Sequence, residues 1–124
     1  MKIVIGCDHA AYEMKEAVKA KLEADGYEVM DVGCHSNESV DYPKYGHAVG
    51  KAVASGEADK GIAICGTGIG ISIAANKVPG IRAGVVPSIE TAHWTKNHND
   101  ANVLCFGARV VDLHTALAMV DEWL

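Results

Sequence analysis

Short apolar runs alternate along this chain with stretches in which apolar residues recur at a helical period. Lys2 to Gly6 is a compact apolar run suited to a buried strand. From Ala11 to Ala24 the apolar positions Ala11, Met14, Val18 and Leu22 predict a helix, and Gly26 is its stop. Tyr27 to Val32 reads as a second strand and Gly33 to Val40 as a polar loop. Asp41 is placed to cap the next helix, with Pro43 near its first turn. That helix buries Ala48, Val49, Ala52 and Val53 and ends at Gly56. Gly61 to Cys65 is the third strand, Gly66 to Gly70 a glycine-rich turn, and Ile71 to Lys77 a short helix. Ile81 to Val86 predicts strand four. Pro87 and Ser88 open a fourth helix that ends near His98. Val103 to Phe106 is strand five, and Asp112 to Leu124 is the last helix, with Leu113, Leu117, Val120 and Leu124 on one face.

Five βα units in succession predict an α/β fold: a five-stranded parallel sheet covered by helices on both faces. The strands are apolar on both sides, as a covered parallel sheet requires. No repeat, low-complexity segment or linker interrupts the pattern, so residues 1–124 are expected to form a single domain. The chain stops at Glu122-Trp123-Leu124 without a glycine, a basic last turn or a polar tail. That ending reads as a chain cut at a helix end or a form lacking a tail.

Sixteen acidic against eleven basic residues give a net charge of -5, and only Arg82 and Arg109 are arginines. A nucleic-acid binder should carry a basic face, so that class is disfavoured. An anionic ligand must be held by a local site. No apolar run approaches the roughly 20 residues that span a bilayer. Cys7, Cys34, Cys65 and Cys105 are spread evenly with no Cys-x-x-Cys pair. That spacing reads as reduced cysteines in a cytoplasmic protein.

In an open parallel sheet, ligands bind beyond the carboxyl ends of the strands. Three loops fall there: Cys7-Asp8-His9, Asp41-Tyr42-Pro43 and Cys65-Gly66-Thr67-Gly68-Ile69-Gly70. Glycines at 66, 68 and 70 let backbone N–H groups approach an anion at a helix N-terminus, or simply make a tight strand–helix turn. A dinucleotide fingerprint would need glycine where Ile71 stands, and no Gly-Lys-Ser/Thr ending is present. Cys65 ends the third strand facing this turn; it is a candidate nucleophile or base, or a small buried hydrophobe. Cys34 and Cys105 fit the buried reading. Asp8-His9 can orient a hydroxyl and bind phosphate, or cap a helix and lie exposed. A cap likewise explains Asp41, and packing explains Tyr42. His98-Asn99-Asp100 lies at the amino end of strand five, at the opposite end of the sheet from the other loops. A catalytic His98 would therefore reach another subunit's pocket; otherwise it is a helix-end histidine with Asn99 as cap. His35, His47, His93 and His114 read as surface or packing residues. Asp8, His9, Cys65 and His98 are acceptable zinc ligands by type, but their spacing matches no zinc motif, so no metal is expected.

Gly6-Cys7-Asp8-His9-Ala10, Asp41-Tyr42-Pro43, the run from Cys65 to Lys77, Gly80-Ile81-Arg82-Ala83 and the run from His98 to Leu104 together resemble the type B ribose-5-phosphate isomerases. The related galactose-6-phosphate isomerase subunits belong to the same group. The resemblance covers essentially the whole chain in order. It implies a Rossmann-like three-layer αβα sandwich and a metal-independent, cofactor-free aldose–ketose isomerase. It also implies a homodimer or dimer of dimers acting on a small phosphorylated sugar. In that family the residue matching Cys65 is the base between C1 and C2. The Thr67 position assists at the substrate oxygens, His98 opens the furanose ring and Asp8 helps it. The resemblance assigns His9, Tyr42, Gly66, Gly68, Ile69, Gly70, Asn99 and Arg109 to substrate binding. Some relatives carry a glutamate base at the position of Ile71; that position is apolar here, so the cysteine version applies. Relatives continue past the position of Leu124 with a tail whose arginines bind the phosphate. The alternatives are an isomerase of a six-carbon sugar phosphate (allose or galactose 6-phosphate) and a non-catalytic sugar-phosphate-binding subunit.

Overall fold

The computed structural model describes residues 1–35 and 42–124. Asp41, expected as a helix cap, lies outside them. The strands are β1 (Lys2–Cys7), β2 (Glu28–Gly33), β3 (Lys60–Cys65), β4 (Ala83–Val85) and β5 (Val103–Gly107). The helices are α1 (Tyr12–Ala24), α2 (Tyr42–Ala54), α3 (Ile69–Asn76), α4 (Ile89–Asn97) and α5 (Leu113–Trp123). A 3-10 turn, His9–Ala11, precedes α1. All strand pairs are parallel, in the order β2-β1-β3-β5-β4.

Alternation along the buried strands divides the core into two layers. Ile3, Ile5, Cys7, Ile62, Ile64, Leu104 and Phe106 face α1, α4 and α5, where Val18, Leu22, Ala92, Met119 and Trp123 meet them. Val4, Ala63, Cys65, Val103 and Cys105 face α2 and α3, against Val49, Ala52, Ile71 and Ala75. Full burial of side chains of this kind contributes about 1.5–3 kcal/mol each. The result is the three-layer αβα arrangement expected of five βα units.

Two local details differ from the sequence pattern. β4 is shorter than the apolar run 81–86, because the Arg82 N–H is taken by the Asn102 side chain at 2.8 Å. α3 begins at Ile69, two residues earlier than expected, because Gly68 serves as its N-cap in the left-handed region (φ 83°).

α2 sits close against α3 because it presents glycine at the crossing. A Cβ on Gly46 would lie 2.7 Å from the Cβ of Ala74 and 2.9 Å from the Ile71 carbonyl oxygen. This close approach, one helical turn after Tyr42, brings that ring to the first turn of α3.

Candidate active site

The carboxyl ends of β1 and β3 lie side by side, and the chain leaves them in opposite directions. β1 leads to β2 on one side and β3 leads to β4 on the other. An open parallel sheet has its crevice at such a switch point. Asp8 follows β1 and Cys65 ends β3, so both arrive at one crevice.

A concavity of about 270 Å³ opens there. Its walls are Asp8, His9 and Ala10 after β1, Tyr42 from α2, and Cys65, Gly66, Thr67 and Gly70 from the turn after β3. Arg109, which follows β5, closes it. Cys65 is only 5% exposed, and its Sγ accepts the Gly68 N–H at 3.1 Å. Gly68 cannot be another residue without rearrangement: a Cβ there would stand 2.6 Å from the carbonyl carbon of Phe106. Thr67 is exposed toward solvent, and its Oγ1 accepts the Ile69 N–H at 3.2 Å. The N–H groups of Gly70 and Ile71, in the first turn of α3, have no carbonyl of their own helix to reach. Gly70 lines the concavity.

The Asp8 carboxylate accepts the Ala10 N–H at 3.0 Å and so caps the 3-10 turn, while also lining the concavity. The Arg109 backbone N–H donates to the Gly66 carbonyl at 3.0 Å, and its guanidinium lies over Gly66, where a Cβ would be 3.3 Å from Nη1. The Tyr42 ring covers Gly70 in the same way, 2.8 Å from where a Cβ would be. Two of the turn's glycines thus serve as floor for a cation and for an aromatic ring.

The remaining candidates lie elsewhere. Ile69 is exposed and does not line the concavity, and Gly68 contributes its N–H to Cys65 rather than to the open space. His98 is the exposed C-cap of α4, its ring 4.5 Å from that of Trp94. Asn99 lines a separate concavity with Arg82, Gly84 and Thr95. Within one chain the structure does not bring His98 or Asn99 to Cys65. His93, read as a surface or packing residue, pairs with Glu122 at 2.7 Å. Among the described residues, no group of three His, Cys, Asp or Glu side chains is placed to hold a metal ion.

Cys105 is fully buried beneath the site, and burial, with Cys65 beside it, pushes its thiol up, so it stays protonated. Gly107 was not singled out in the sequence, although a Cβ there would lie 2.5 Å from the Thr67 carbonyl carbon. The available signal was a glycine at the carboxyl end of a strand neighbouring the Cys65 turn.

The Ribose/Galactose Isomerase family model matches residues 3–124. This chain belongs to that family. Ribose-5-phosphate isomerase B of Escherichia coli is 53% identical over 123 residues, covering 99% of this chain and 83% of that protein. The solved structure of Clostridium thermocellum ribose-5-phosphate isomerase B superposes with a TM-score of 0.98 at 58% identity, covering 99% of this chain and 83% of that one. D-erythrulose-4-phosphate isomerase 2 of Mycolicibacterium smegmatis is 46% identical over 127 residues, covering 100% of this chain and 84% of that protein. Membership in this family accounts for a Rossmann-like sheet whose switch-point crevice holds a thiol, a hydroxyl and a guanidinium.

Proposed function

We propose that this protein interconverts ribose 5-phosphate and ribulose 5-phosphate through an enediolate, with Cys65 as the base. The observation that carries the reading is the crevice itself. Asp8, Cys65, Thr67 and Arg109 meet at the carboxyl ends of three strands, within one concavity.

The reaction sets out what each group must do. The sugar has to be opened before its carbonyl is available, which calls for an acid–base group; in this reading His98 supplies it, assisted by Asp8. A base then takes the proton from C2 of the aldose and returns it to C1; Cys65 is the group at hand. The negative charge that develops on oxygen is held by the N–H groups of the α3 first turn and by Thr67. Preorganised donors of this kind are typically worth about 2.7–4 kcal/mol each. Arg109 and His9 hold the phosphate, and that remote binding energy orients the reacting carbons. Tyr42, Gly66 and Gly70 complete the substrate contacts in this reading, with Asn99 supplied by a neighbouring copy. A thiol base with backbone donors requires no Lewis acid, so exhaustive chelation should leave the rate unchanged.

His98 lies at the far end of the sheet from Cys65, and the proposal therefore includes a shared site. In a homodimer, or a dimer of dimers, each copy would complete its neighbour's crevice with His98 and Asn99. Residues 1–124 would act as one sugar-phosphate isomerase domain in the cytoplasm, where cysteines stay reduced; all four cysteines here are thiols. Among the described residues no helix is long and apolar enough to cross a membrane.

The test is turnover of ribose 5-phosphate beside erythrulose 4-phosphate, allose 6-phosphate and galactose 6-phosphate. The reading expects the highest kcat/KM on ribose 5-phosphate. A higher value on another substrate reassigns the sugar while keeping the chemistry. No turnover of any of them leaves a sugar-phosphate-binding subunit.

A further inference from the structure

Away from Cys65, on the other face of the sheet, the structure brings two more sulfurs together. β1 and β2 pair in parallel, with Gly6 opposite Gly33. Cys7 is the last residue of β1, and Cys34 is the residue just past the end of β2. The Cys34 N–H donates to the Cys7 carbonyl at 3.0 Å, and the two Sγ atoms are 3.6 Å apart. Both are buried in the layer beneath α1, at 0% and 2% exposure. Neither has a part in the proposed isomerisation.

We propose that Cys7 and Cys34 are an oxidative modification site, converted by a small hydroperoxide into an intramolecular disulfide. The Cys34 N–H bond to the Cys7 carbonyl at 3.0 Å keeps the two backbones side by side, and disulfides span Cα separations of about 4.4–6.8 Å. The side chains leave the sheet on the same face. A bond of about 2.05 Å asks the sulfurs to close by roughly 1.5 Å, within reach of a χ1 adjustment.

The step balances as follows. One cysteine thiolate attacks the peroxide O–O bond and becomes a sulfenic acid, releasing water when the oxidant is hydrogen peroxide. The second sulfur attacks that sulfenic sulfur, the S–S bond forms, and hydroxide leaves and takes up the remaining thiol proton. Two thiols and one peroxide give one disulfide and two waters, with two electrons passed to the O–O bond. Burial and the adjacent Cys34 push the Cys7 thiol up, so the reaction is slow beside that of an exposed low-pKa cysteine. The co-reactant must be small enough to enter the layer.

The location gives the bond a consequence. Cys7 directly precedes Asp8, on the wall of the crevice. Cys34 directly follows Gly33, where a Cβ would stand 2.8 Å from the Tyr45 ring, one turn along α2 from Tyr42. Drawing the sulfurs together pulls on the end of β1 next to Asp8 and on the end of β2 next to Gly33.

The experiment uses the Cys65→Ala protein, so that no reactive site thiol competes and no isomerase activity is needed for the readout. The chain has four cysteines, so this variant retains three. After exposure to hydrogen peroxide, the protein is alkylated in denaturant and digested. The expected result is a fall to one alkylatable thiol, a mass lower by two hydrogens, and a cross-linked peptide joining residues 7 and 34. Dithiothreitol restores all three thiols. The Cys34→Ala/Cys65→Ala protein gives no cross-linked species. Should Cys65→Ala misfold, native protein capped at Cys65 with iodoacetamide takes its place. Persistence of both thiols under peroxide that oxidises free cysteine in the same tube overturns the proposal, as does loss that maps to Cys105.

Discussion

The backbone N–H of Gly68 points at the sulfur of Cys65, 3.1 Å away, across the turn that joins β3 to α3. The sulfur sits beside the N-terminus of α3 and opens on a concavity. Cys105 and Cys7 are fully buried instead, and burial pushes both thiols up. Iodoacetamide at neutral pH should therefore label Cys65 before any other cysteine, and ribose 5-phosphate should protect it. Peptide mapping of the partly labelled protein reads the order directly. First labelling at Cys7, Cys34 or Cys105 would remove the basis for choosing Cys65.

That amide is in place only because residue 68 has no side chain. Gly68→Ala puts a methyl group 2.6 Å from the Phe106 backbone at a φ of 83°. Left-handed backbone costs about 1–2 kcal/mol for a residue with a Cβ, before the clash is counted. We expect a stability loss of about 2 kcal/mol or more in urea titration and a drop in kcat exceeding any change in KM. Unchanged stability would mean the turn relaxes freely, and the amide is not fixed.

A buried ion pair joins α1 to β2, Lys15 to Asp31 at 2.7 Å, with the other Asp31 oxygen accepting the Gly33 N–H at 2.9 Å. Burial works against both charges, yet Lys15 and the Gly33 amide hold the Asp31 carboxyl below its ordinary 3.8, and Asp31 holds Lys15 above its ordinary 10.5. The folded protein thus binds the Asp31 proton more weakly than the unfolded chain does. Its contribution to stability is present above about pH 4 and fades as pH falls through the depressed folded value. The Lys15 contribution is full below its ordinary value and fades as pH rises through the raised one. Asp31→Asn should cost about 3 kcal/mol at pH 7, because it leaves a buried ammonium with the exposed Glu16 as its main partner. The gap between variant and native protein should narrow below pH 4. A constant gap across that range would show that the pair carries no net charge-dependent stability.

The shared-site proposal makes a sharper demand. Cys65→Ala and His98→Ala should each be inactive alone. Mixed under conditions of proven subunit exchange, they should recover activity, because one crevice of each mixed dimer holds an intact Cys65 and an intact His98 from different chains. A self-contained site recovers nothing, since every site keeps one defect.

Most of the sheet was legible because five apolar runs with glycine or capping signals between them admit few arrangements. The cap of α4 by Ser88, which accepts the Thr91 N–H at 3.2 Å, follows the expected pattern. The Cys65 turn was legible for the same reason: glycine spacing after a buried strand constrains the backbone. What escaped the sequence depends on contacts between distant segments. The start of α3 was set by Gly68 against Phe106, and the start of β4 by the Asn102 side chain, neither of which periodicity records. The helical period does not single out Lys15, whose side chain is fully buried on Asp31. Nothing in the spacing showed that Cys7 and Cys34, twenty-seven positions apart, would touch.

The central claim is that Cys65 moves a proton between two carbons of a sugar phosphate, and deuterium records that movement. Ribose 5-phosphate is incubated in D₂O with native protein and with Cys65→Ala, and carbon-bound deuterium is followed by proton NMR. The account predicts that native protein forms ribulose 5-phosphate with deuterium entering at C1, and at C2 of the returning aldose. It predicts that Cys65→Ala, still folded by circular dichroism, forms ketose and incorporates label at least about a hundredfold more slowly, the lower end of what a positioned acid–base group contributes. Incorporation by Cys65→Ala at a rate near that of the native protein would contradict it, and would move the base to another group in the crevice.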